Sequence, residues 1–415
     1  MKIKSLLILA LIAVATASGL SAQNTSSPYS KFGYGLLRDN ATSAQRQMGG
    51  VGYAMRSGRQ VNVMNPAAYA GMDSLTFLFD MGTDVSLFWR KDNTGSNHDW
   101  GGGLDYVTMQ FPVGKIVGVS AGLLPYSSVG YSFGSEITNG VSTHQGTGGL
   151  NQLYIGAGVM PLKNLSLGVN ISYLFGTIYN DVYASQTGST SQSLFEQIME
   201  VKDYHLQFGL QYTYRISRKN ALTLGVTYSP SKSLLGKTYV LKYHDTSSGT
   251  PDTIAPGVVK LRDKFSLPET WGAGLAYDWN DRLQAEVDVT YQNWSKAKYH
   301  QIENFSAGKF DNRWRIGAGL SYRPDPRGGY FKRVTYRAGG YYNRDYIMVE
   351  GNHVRDYGIS CGVGLPAASE KTVINLGFEY INRQATPNTL LKEQYFHVTL
   401  GINFNQVWFF QSKLR

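Results

Sequence analysis

The chain lacks several features that mark soluble enzymes and helical membrane proteins. Cys361 is its only cysteine, so no internal disulfide forms. Its seven histidines show no metal-ligand spacing, and no P-loop or GxGxxG motif follows a predicted strand, so we expect no metal and no cofactor. After the N-terminal region, no segment has the ~20 consecutive apolar residues of a membrane helix. The remaining chain is therefore either soluble or a closed barrel, because only helices and closed barrels satisfy every backbone group in lipid.

The N-terminus has the pattern of a secretory signal peptide. Lys2 and Lys4 form the positive region, and residues 6–17 form an apolar run that is too short to span a bilayer. Cleavage is expected after Ala17 or after Ala22, so residues 1–22 are excluded from the fold. The formal net charge of +10 falls to +8 without the two signal lysines. Nucleic acid is a poor partner for an exported chain, and anionic lipid headgroups or solvated loops and turns explain this charge better.

An alternation with a period of two recurs from about residue 74 to the end. One stretch places apolar side chains on one face and small or polar ones on the other: Leu165, Leu167, Val169, Ile171, Tyr173 and Phe175 against Ser166, Gly168, Asn170 and Ser172. Successive side chains of a strand point to opposite faces, so each such strand has one apolar face. With an export signal, this pattern predicts an all-β fold, a transmembrane antiparallel β-barrel that is apolar toward lipid. A soluble all-β fold is the alternative.

About fourteen strands are predicted, and single-chain bacterial barrels have an even number. Their approximate limits are 74–90, 103–112, 116–134, 149–161, 164–183, 196–216, 220–241, 258–279, 282–298, 308–323, 332–349, 352–365, 372–384 and 392–409. Connections after even-numbered strands are short, and those after odd-numbered strands are longer and polar, for example 135–148, 184–195 and 243–257. Short turns on one side and long loops on the other are the periplasmic and external ends of a barrel.

Residues 23–73 show no sustained alternation and are rich in Ser, Gly, Asn and Ala. We predict loops there, with a short helix near 41–48. The chain thus divides into a signal peptide at 1–22, an N-terminal hatch or plug at 23–73 and an outer-membrane barrel at 74–415.

Motifs that could indicate catalysis are weak. Two stretches match the serine-hydrolase pattern GxSxG, around Ser120 and Ser360, but both lie inside alternating strands, whereas the motif needs a strand-to-helix turn. His205 and His397 are expected to face the lumen, and strand parity supplies no serine–histidine pair. We therefore predict that the chain is not an enzyme. Six charged residues are expected on the lumen face, as an internal network or as a substrate site: Arg215, Glu286, Asp288, Arg315, Arg337 and Glu379.

Pro125 interrupts the third predicted strand, between Gly122 and Tyr126. Proline cannot donate to a strand ladder and is rare inside strands except at edges and bulges. A closed barrel has no edge, so this proline predicts a kink or a gap between neighbouring strands. Two interpretations stay open. One is a lateral opening at Gly122, Pro125 and Tyr126 through which an apolar molecule leaves the lumen, and the other is a bulge that shapes an external loop.

The segment before the first strand contains Met48-Gly49-Gly50, then Ala54, then a stretch that ends in Asn65-Pro66-Ala67. These residues resemble the start of the FadL-like outer-membrane transport family. In that family, an N-terminal hatch with an Asn-Pro-Ala element plugs a fourteen-stranded barrel that moves long-chain fatty acids and other hydrophobic molecules. The family's third strand is similarly kinked at a lateral opening. The resemblance implies that Met48, Gly49, Gly50, Asn65, Pro66 and Ala67 belong to a hatch, while the family's fatty-acid pocket residues have no recognisable counterparts here.

Together these features predict an outer-membrane channel for passive uptake of hydrophobic or amphipathic, fatty-acid-like small molecules. The hatch would move near Asn65 and Pro66, and the molecule would exit laterally beside Pro125. The expected partners are outer-membrane lipid and a hydrophobic small molecule. The alternative is a barrel that does not transport but docks proteins in an outer-membrane secretion or assembly machine, with the hatch and loops such as the one with Trp100 as its docking surface.

Overall fold

A computed structural model describes residues 25–92, 95–137, 139–188, 192–245, 252–300, 308–367 and 372–407. The expected signal peptide and its cleavage sites lie outside these residues. Among the described residues, no helix is long and apolar enough to cross a membrane. The helical segments are short: Pro28–Lys31, Ser43–Arg46, Pro66–Gly71, Trp294–Lys296 and Tyr330–Arg333.

Fourteen antiparallel strands form one closed barrel, as the alternation predicts. They are β2 (Thr76–Lys91), β3 (Ser96–Val113), β4 (Val117–Ile137), β5 (Gly140–Leu162), β6 (Leu165–Gln186), β7 (Gln192–Arg215), β8 (Asn220–Ser229), β13 (Thr270–Trp279), β14 (Leu283–Gln292), β16 (Arg313–Tyr322), β17 (Thr335–Val349), β18 (Asn352–Pro366), β19 (Val373–Thr386) and β20 (Lys392–Val407). Each pairs with the strands before and after it, and β2 pairs with β20 along its whole length, which closes the ring.

Six further strands do not belong to the ring of fourteen. They are β1 (Leu36–Leu37), β9 (Lys232–Ser233), β10 (Gly236–Asp245), β11 (Asp252–Lys260), β12 (Ser266–Leu267) and β15 (Lys309–Phe310). The β10–β11 hairpin pairs with the external half of β7 and extends the wall beyond the membrane. Two predicted strands, 220–241 and 258–279, are therefore wrong as single strands. The structure divides each of them between a barrel strand and the β10–β11 hairpin. Pro230 and Pro268 lie at the divisions, and proline cannot continue a ladder.

The predicted long loops are also corrected. Most of 135–148 and 184–195 belongs to strands, since β4 ends at Ile137 and β5 begins at Gly140, while β6 ends at Gln186 and β7 begins at Gln192. The described parts of 243–257 belong to β10 and β11, and Trp100 lies within β3 rather than in a loop. Above the membrane a strand no longer needs an apolar face, so its ladder continues after the alternation fades.

The two faces of the wall differ as expected for a barrel in lipid. Outward side chains such as Ile155, Phe208 and Ile316 are half exposed, whereas lumen-facing Ser166 and Thr223 are buried. At the external ends of four short strands, Tyr228 contacts Trp271 and Tyr291 contacts Trp314, each pair with ring centroids 4.4 Å apart. Such rows match the aromatic girdles at membrane interfaces. The fold is therefore that of an outer-membrane barrel.

The segment from Thr25 to Asp73, hereafter the hatch, runs through the lumen from end to end. Near its start, the Tyr29 hydroxyl donates to the Leu391 carbonyl at the external end (2.6 Å). At its other end, the helix Pro66–Gly71 packs against the periplasmic ends of β4 to β7. The lumen is consequently filled by the chain's own N-terminal segment.

Glycines line the wall where the hatch backbone touches it. An added Cβ at Gly158 would lie 2.6 Å from the Pro66 carbonyl oxygen, and one at Gly168 would lie 2.5 Å from the Ala67 amide nitrogen. Contacts with hatch backbone recur around the ring at Gly118, Gly158, Gly168, Gly225, Gly274, Gly319 and Gly339, and hatch side chains lie equally close to Gly209, Gly362 and Gly401. The hatch therefore lies against bare strand backbone.

This packing predicts that Gly168→Ala destabilises the hatch, because the new methyl group meets backbone that has nowhere to move. Overpacking of this kind costs roughly 1–3 kcal/mol. Thermal unfolding in detergent, combined with limited proteolysis of residues 40–70, measures the effect. Gly134→Ala is the matched control, since its Cβ would lie 3.7 Å from the nearest atom. Equal stability of the two variants would contradict the close packing.

Candidate functional site: a break in the barrel wall

The wall of the barrel opens between β3 and β4. Their pairing runs from Val113 and Val117 up to Val107 and Leu123 and then stops. Above that point, β3 pairs with β2 and β4 pairs with β5, but the described residues show no pairing of β3 with β4. This interruption, hereafter the wall break, is the one place where consecutive described barrel strands separate within their length.

The break begins beside Pro125, where the sequence predicts a kink or a gap. Gly122 pairs with Thr108 just below it, and Pro125 lies two residues above Leu123, the last residue of β4 that pairs with β3. The ladder between β4 and β5 shifts register between Pro125 and Ser127, so the strand has a bulge there. The structure thus brings Gly122, Pro125 and Tyr126 together at the lower end of the wall break, and a bulge accompanies the gap.

The hatch covers the β4 side of the break. β1 pairs with β4, with Leu36 opposite Ser128 and Leu37 opposite Ser127. The next amide, that of Arg38, donates to the Tyr126 carbonyl (2.9 Å). A two-residue strand is too short to show alternation, so the sequence pattern does not predict β1.

The side chain of Arg38 reaches the opposite side of the break. Its guanidinium donates to the Asp105 carboxylate on β3 (3.0 Å) and lies 3.8 Å from Asp84 on β2. Arg46 of the hatch donates to the same Asp105 oxygen (2.9 Å). Arg38, Arg46, Asp84 and Asp105 are largely buried and are called the clasp below. Through Arg38, the clasp connects both sides of the wall break.

The Asn-Pro-Ala element ends the hatch at a fixed point. Asn65 precedes the helix Pro66–Gly71, and its side-chain oxygen accepts from the Ala67 amide (3.0 Å). Its side-chain nitrogen donates to the Tyr53 carbonyl (2.7 Å) and the Leu210 carbonyl (3.2 Å). A single asparagine therefore joins two hatch segments to the wall.

Two of the predicted lumen carboxyl groups bind hatch amides. Asp288 accepts from the amides of Gly52 (2.6 Å) and Tyr53 (3.0 Å). Glu286 accepts from the amides of Ala54 (2.7 Å) and Met55 (3.0 Å). Four consecutive amides thus point at two buried carboxyl groups, which fixes the middle of the hatch.

The predicted arginines contribute unequally. Arg315 donates to the carbonyls of Gly49 (2.7 Å) and Gly50, and Arg337 donates to Gln47 (3.0 Å). Met48 is buried between these anchors. Arg215 is exposed at the periplasmic end and lies outside this internal network.

An acidic residue that the sequence did not single out joins the network from the hatch. Asp39 accepts from Arg313 (3.0 Å) and pairs with Arg315 (3.0 Å). Burial raises the pKa of Asp39, but Arg315 and Arg313 outweigh it and lower the pKa to about 2. Asp39 is therefore ionised at neutral pH.

Two small cavities flank the hatch at residues 38 and 39. One has a volume of about 110 Å³ and is lined by charged groups that include Asp39, Arg46 and Glu379. The other has a volume of about 90 Å³ and extends toward Tyr126 and His205. Their linings suit water better than an apolar ligand.

A serine–histidine pair exists, contrary to the prediction from strand parity. Ser86 pairs with His397 across β2 and β20, and its hydroxyl contacts the histidine Nδ1 and donates to Asp84 (3.1 Å). Strand parity does not predict this pair, because the first and last barrel strands become neighbours only when the barrel closes. A catalytic triad needs serine and acid on opposite ring nitrogens, but here both lie beside Nδ1 (Asp84 at 3.7 Å).

The two GxSxG serines have structural partners. Ser120 donates to the Met109 carbonyl (2.8 Å), and the Ser360 hydroxyl accepts from the Gly49 amide (2.9 Å). Both lie within strands. Within the described part of the chain, no group of three or more His, Cys, Asp or Glu could hold a metal ion.

Comparisons with known proteins agree on the fold. The model of a family described as BamG matches residues 2–415. No match is found among curated proteins. The toluene transporter TbuX of Ralstonia pickettii aligns with a TM-score of 0.61 and 15% identity, over 88% of this chain and 98% of its own.

The toluene transporter TodX of P. putida gives 0.61, 13%, 89% and 99% for the same four measures, and a FadL homologue of Pseudomonas aeruginosa gives 0.59, 12%, 89% and 99%. At such low identity the likeness shows the fold alone. It confirms the resemblance to the FadL-like barrels.

The clasp predicts that Asp105→Asn loosens the hatch at the wall break, because Arg38 and Arg46 lose their shared carboxylate while remaining buried. Removing one partner of a buried ion pair costs roughly 3–5 kcal/mol. Hydrogen exchange of the Arg38 amide, which donates to Tyr126 on β4, should become much faster.

Asp73→Asn is the matched control, because the Asp73–Arg59 pair (3.6 Å) is largely exposed and such pairs contribute little. If exchange at Arg38 is unchanged in Asp105→Asn, the clasp does not hold the break closed.

Proposed function

The chain belongs to the BamG family, and from the geometry of the wall break we propose that it is an outer-membrane barrel for passive passage of hydrophobic small molecules. The observation that carries the proposal is the wall break covered by β1. To open it, β1 must lose a two-residue ladder, the bond of the Arg38 amide to the Tyr126 carbonyl, the clasp and the packing of buried Leu36. Every other neighbouring pair of described barrel strands would have to lose a longer ladder.

The proposed route is lateral. The hatch fills the lumen, so passage requires that its outer part, around Leu36 to Arg38, move away from β4. An apolar molecule then leaves between β3 and β4 into the lipid. The lipid-facing borders of the break suit such a molecule, because Leu104 on β3 and Leu123 on β4 are 51% and 37% exposed.

The size of the cargo is the finer part of the proposal. The described cavities, about 110 and 90 Å³, are below the roughly 150 Å³ of an apolar cavity that binds benzene. A fatty-acid chain therefore needs a larger movement of the hatch than a single-ring hydrocarbon does. The similar barrels TbuX and TodX are described as toluene transporters, and we propose small hydrocarbons as the first cargo to test.

A disulfide that fixes β1 to β4 beside the break tests this function. Leu37→Cys with Ser127→Cys, in a Cys361→Ala background, joins paired residues whose Cα separation suits a disulfide. We expect toluene uptake by cells to stop when the disulfide forms and to return on reduction, because β1 can no longer leave β4.

The control is a disulfide between strands that stay paired, Thr213→Cys with Thr223→Cys on β7 and β8. It should leave uptake unchanged in both redox states. Equal uptake by the locked and reduced forms of the β1 variant would exclude lateral exit at this break.

A second candidate is a barrel that docks proteins in a secretion or assembly machine of the outer membrane. The filled lumen supports it, because four consecutive hatch amides bind Glu286 and Asp288 and both cavities have polar linings. In this function the barrel acts through its surfaces, and the hatch is a permanent plug. Neither candidate requires catalysis, and we propose none.

Native mass spectrometry of protein extracted gently from its own membrane separates the two candidates. We expect a single barrel with a small apolar ligand if the first is correct. Stoichiometric protein partners without ligand would favour the second. The Asp105→Asn variant sharpens the comparison, since loosening the hatch should change ligand retention but leave a docked partner in place.

A further inference from the structure

We propose that the periplasmic mouth of the barrel, centred on Arg56, Arg59 and Arg323, binds an acidic polypeptide segment of a periplasmic protein. This inference is independent of lateral passage and concerns the opposite end of the molecule. It begins from the distribution of charge along the chain.

The excess positive charge of the chain is concentrated at this end. The five described turns on the short-turn side, at 114–116, 163–164, 216–219, 280–282 and 323–334, contain nine Lys or Arg and two Asp. The periplasmic part of the hatch, 56–73, adds two Arg and one Asp, which gives an excess of eight positive charges. The rest of the chain, without Lys2 and Lys4, has 26 cations and 26 carboxylates. The periplasmic end thus accounts for the whole net charge.

Several of these cations raise the free energy of their neighbours by charge repulsion. Arg56 of the hatch donates to the Thr213 hydroxyl on β7 (3.3 Å), two residues before Arg215, and its pKa is lowered by burial and by the Arg215 guanidinium. Arg323 donates to the Asp281 carbonyl (3.3 Å), and burial and Arg59 lower its pKa more than the Asp281 carboxylate raises it. Arg59 pairs with Asp73 (3.6 Å), and both side chains are exposed. Like charges held together in this way are stabilised when an anion binds among them.

The position of this patch favours a polypeptide over a lipid. Arg56 and Arg59 belong to the hatch, inside the ring of strands, so lipid headgroups around the barrel are separated from them by the wall. Cations of the outer turns, such as Lys163 and Lys219, are the ones that can reach headgroups. Arginine also donates in a planar fork that suits carboxylates. A Glu- or Asp-rich segment entering from the periplasm fits the patch.

A binding experiment with matched variants tests the proposal. The full-length barrel in nanodiscs of zwitterionic phosphatidylcholine is titrated against a short fluorescent polyglutamate peptide, with anisotropy as the readout. We expect salt-sensitive binding that falls by about tenfold or more in Arg59→Gln/Arg323→Gln, because the charges closest to the peptide are removed. Lys163→Gln/Lys219→Gln removes the same charge from the rim and should change the affinity by less than about twofold.

Two results of this experiment would contradict the proposal. Equal losses in both double variants would mean diffuse attraction without a site, and absence of binding to the unmodified protein would overturn the proposal. In cells, a photocrosslinker at position 59 should attach to an acidic peptide of a periplasmic protein, whereas attachment to phospholipid alone would refute it. Toluene uptake by the mouth variant reports separately on the proposed passage, so the two ideas fail independently.

Discussion

The fold depends on direct contact between the backbone of the hatch and the backbone of the barrel wall. Glycines in the lumen-facing rows allow this approach, and side chains at Gly158 or Gly168 would occupy the space of Pro66 and Ala67. Because the two backbones touch, polar side chains of the wall can bond directly to hatch amides and carbonyls. Asn65 and the Glu286–Asp288 pair satisfy hatch groups that would otherwise be buried without partners. The filled lumen follows from the glycine composition of the strands.

The strength of this attachment differs along the hatch. From residue 48 to 71, its amides and carbonyls bind Arg315, Asp288, Glu286 and Asn65, which are lumen side chains or parts of the hatch itself. Around residue 37, it is held by the two-residue β1 ladder, by the Arg38 amide and by ion pairs at the clasp, while Tyr34 and Leu36 are buried in an apolar cluster. The passage proposed above would break these contacts and leave the bonds of residues 48–71 in place. Its cost in free energy depends on how many of these buried contacts open together.

The sequence predicts the barrel well because lipid imposes a period of two on every spanning strand. Fourteen strands and the lumen position of Glu286 follow from that period, and the interruption at Pro125 follows from the amide donor that proline lacks. The period fails where lipid no longer acts on the chain: the upper parts of β4 to β7 remain strands without an apolar face. It also fails for contacts that depend on closure or on distant pairing, such as Ser86 with His397, or Arg38 with Asp105. The site is made largely of such contacts, so its chemistry could be only partly foreseen.

The path of the hatch sets an order of events for biogenesis. The hydroxyl of Ser27, near the beginning of the hatch, donates to Glu393 at the start of β20, the last strand of the barrel, at the external end. A long peptide cannot easily be threaded afterwards through a lumen that it fills so tightly. The N-terminal segment must lie among the strands while β2 and β20 are still apart, and their final zippering encloses it. The hatch thus acts as a template on which the barrel closes. A barrel that closed without it would have a lumen lined by uncovered glycine backbone.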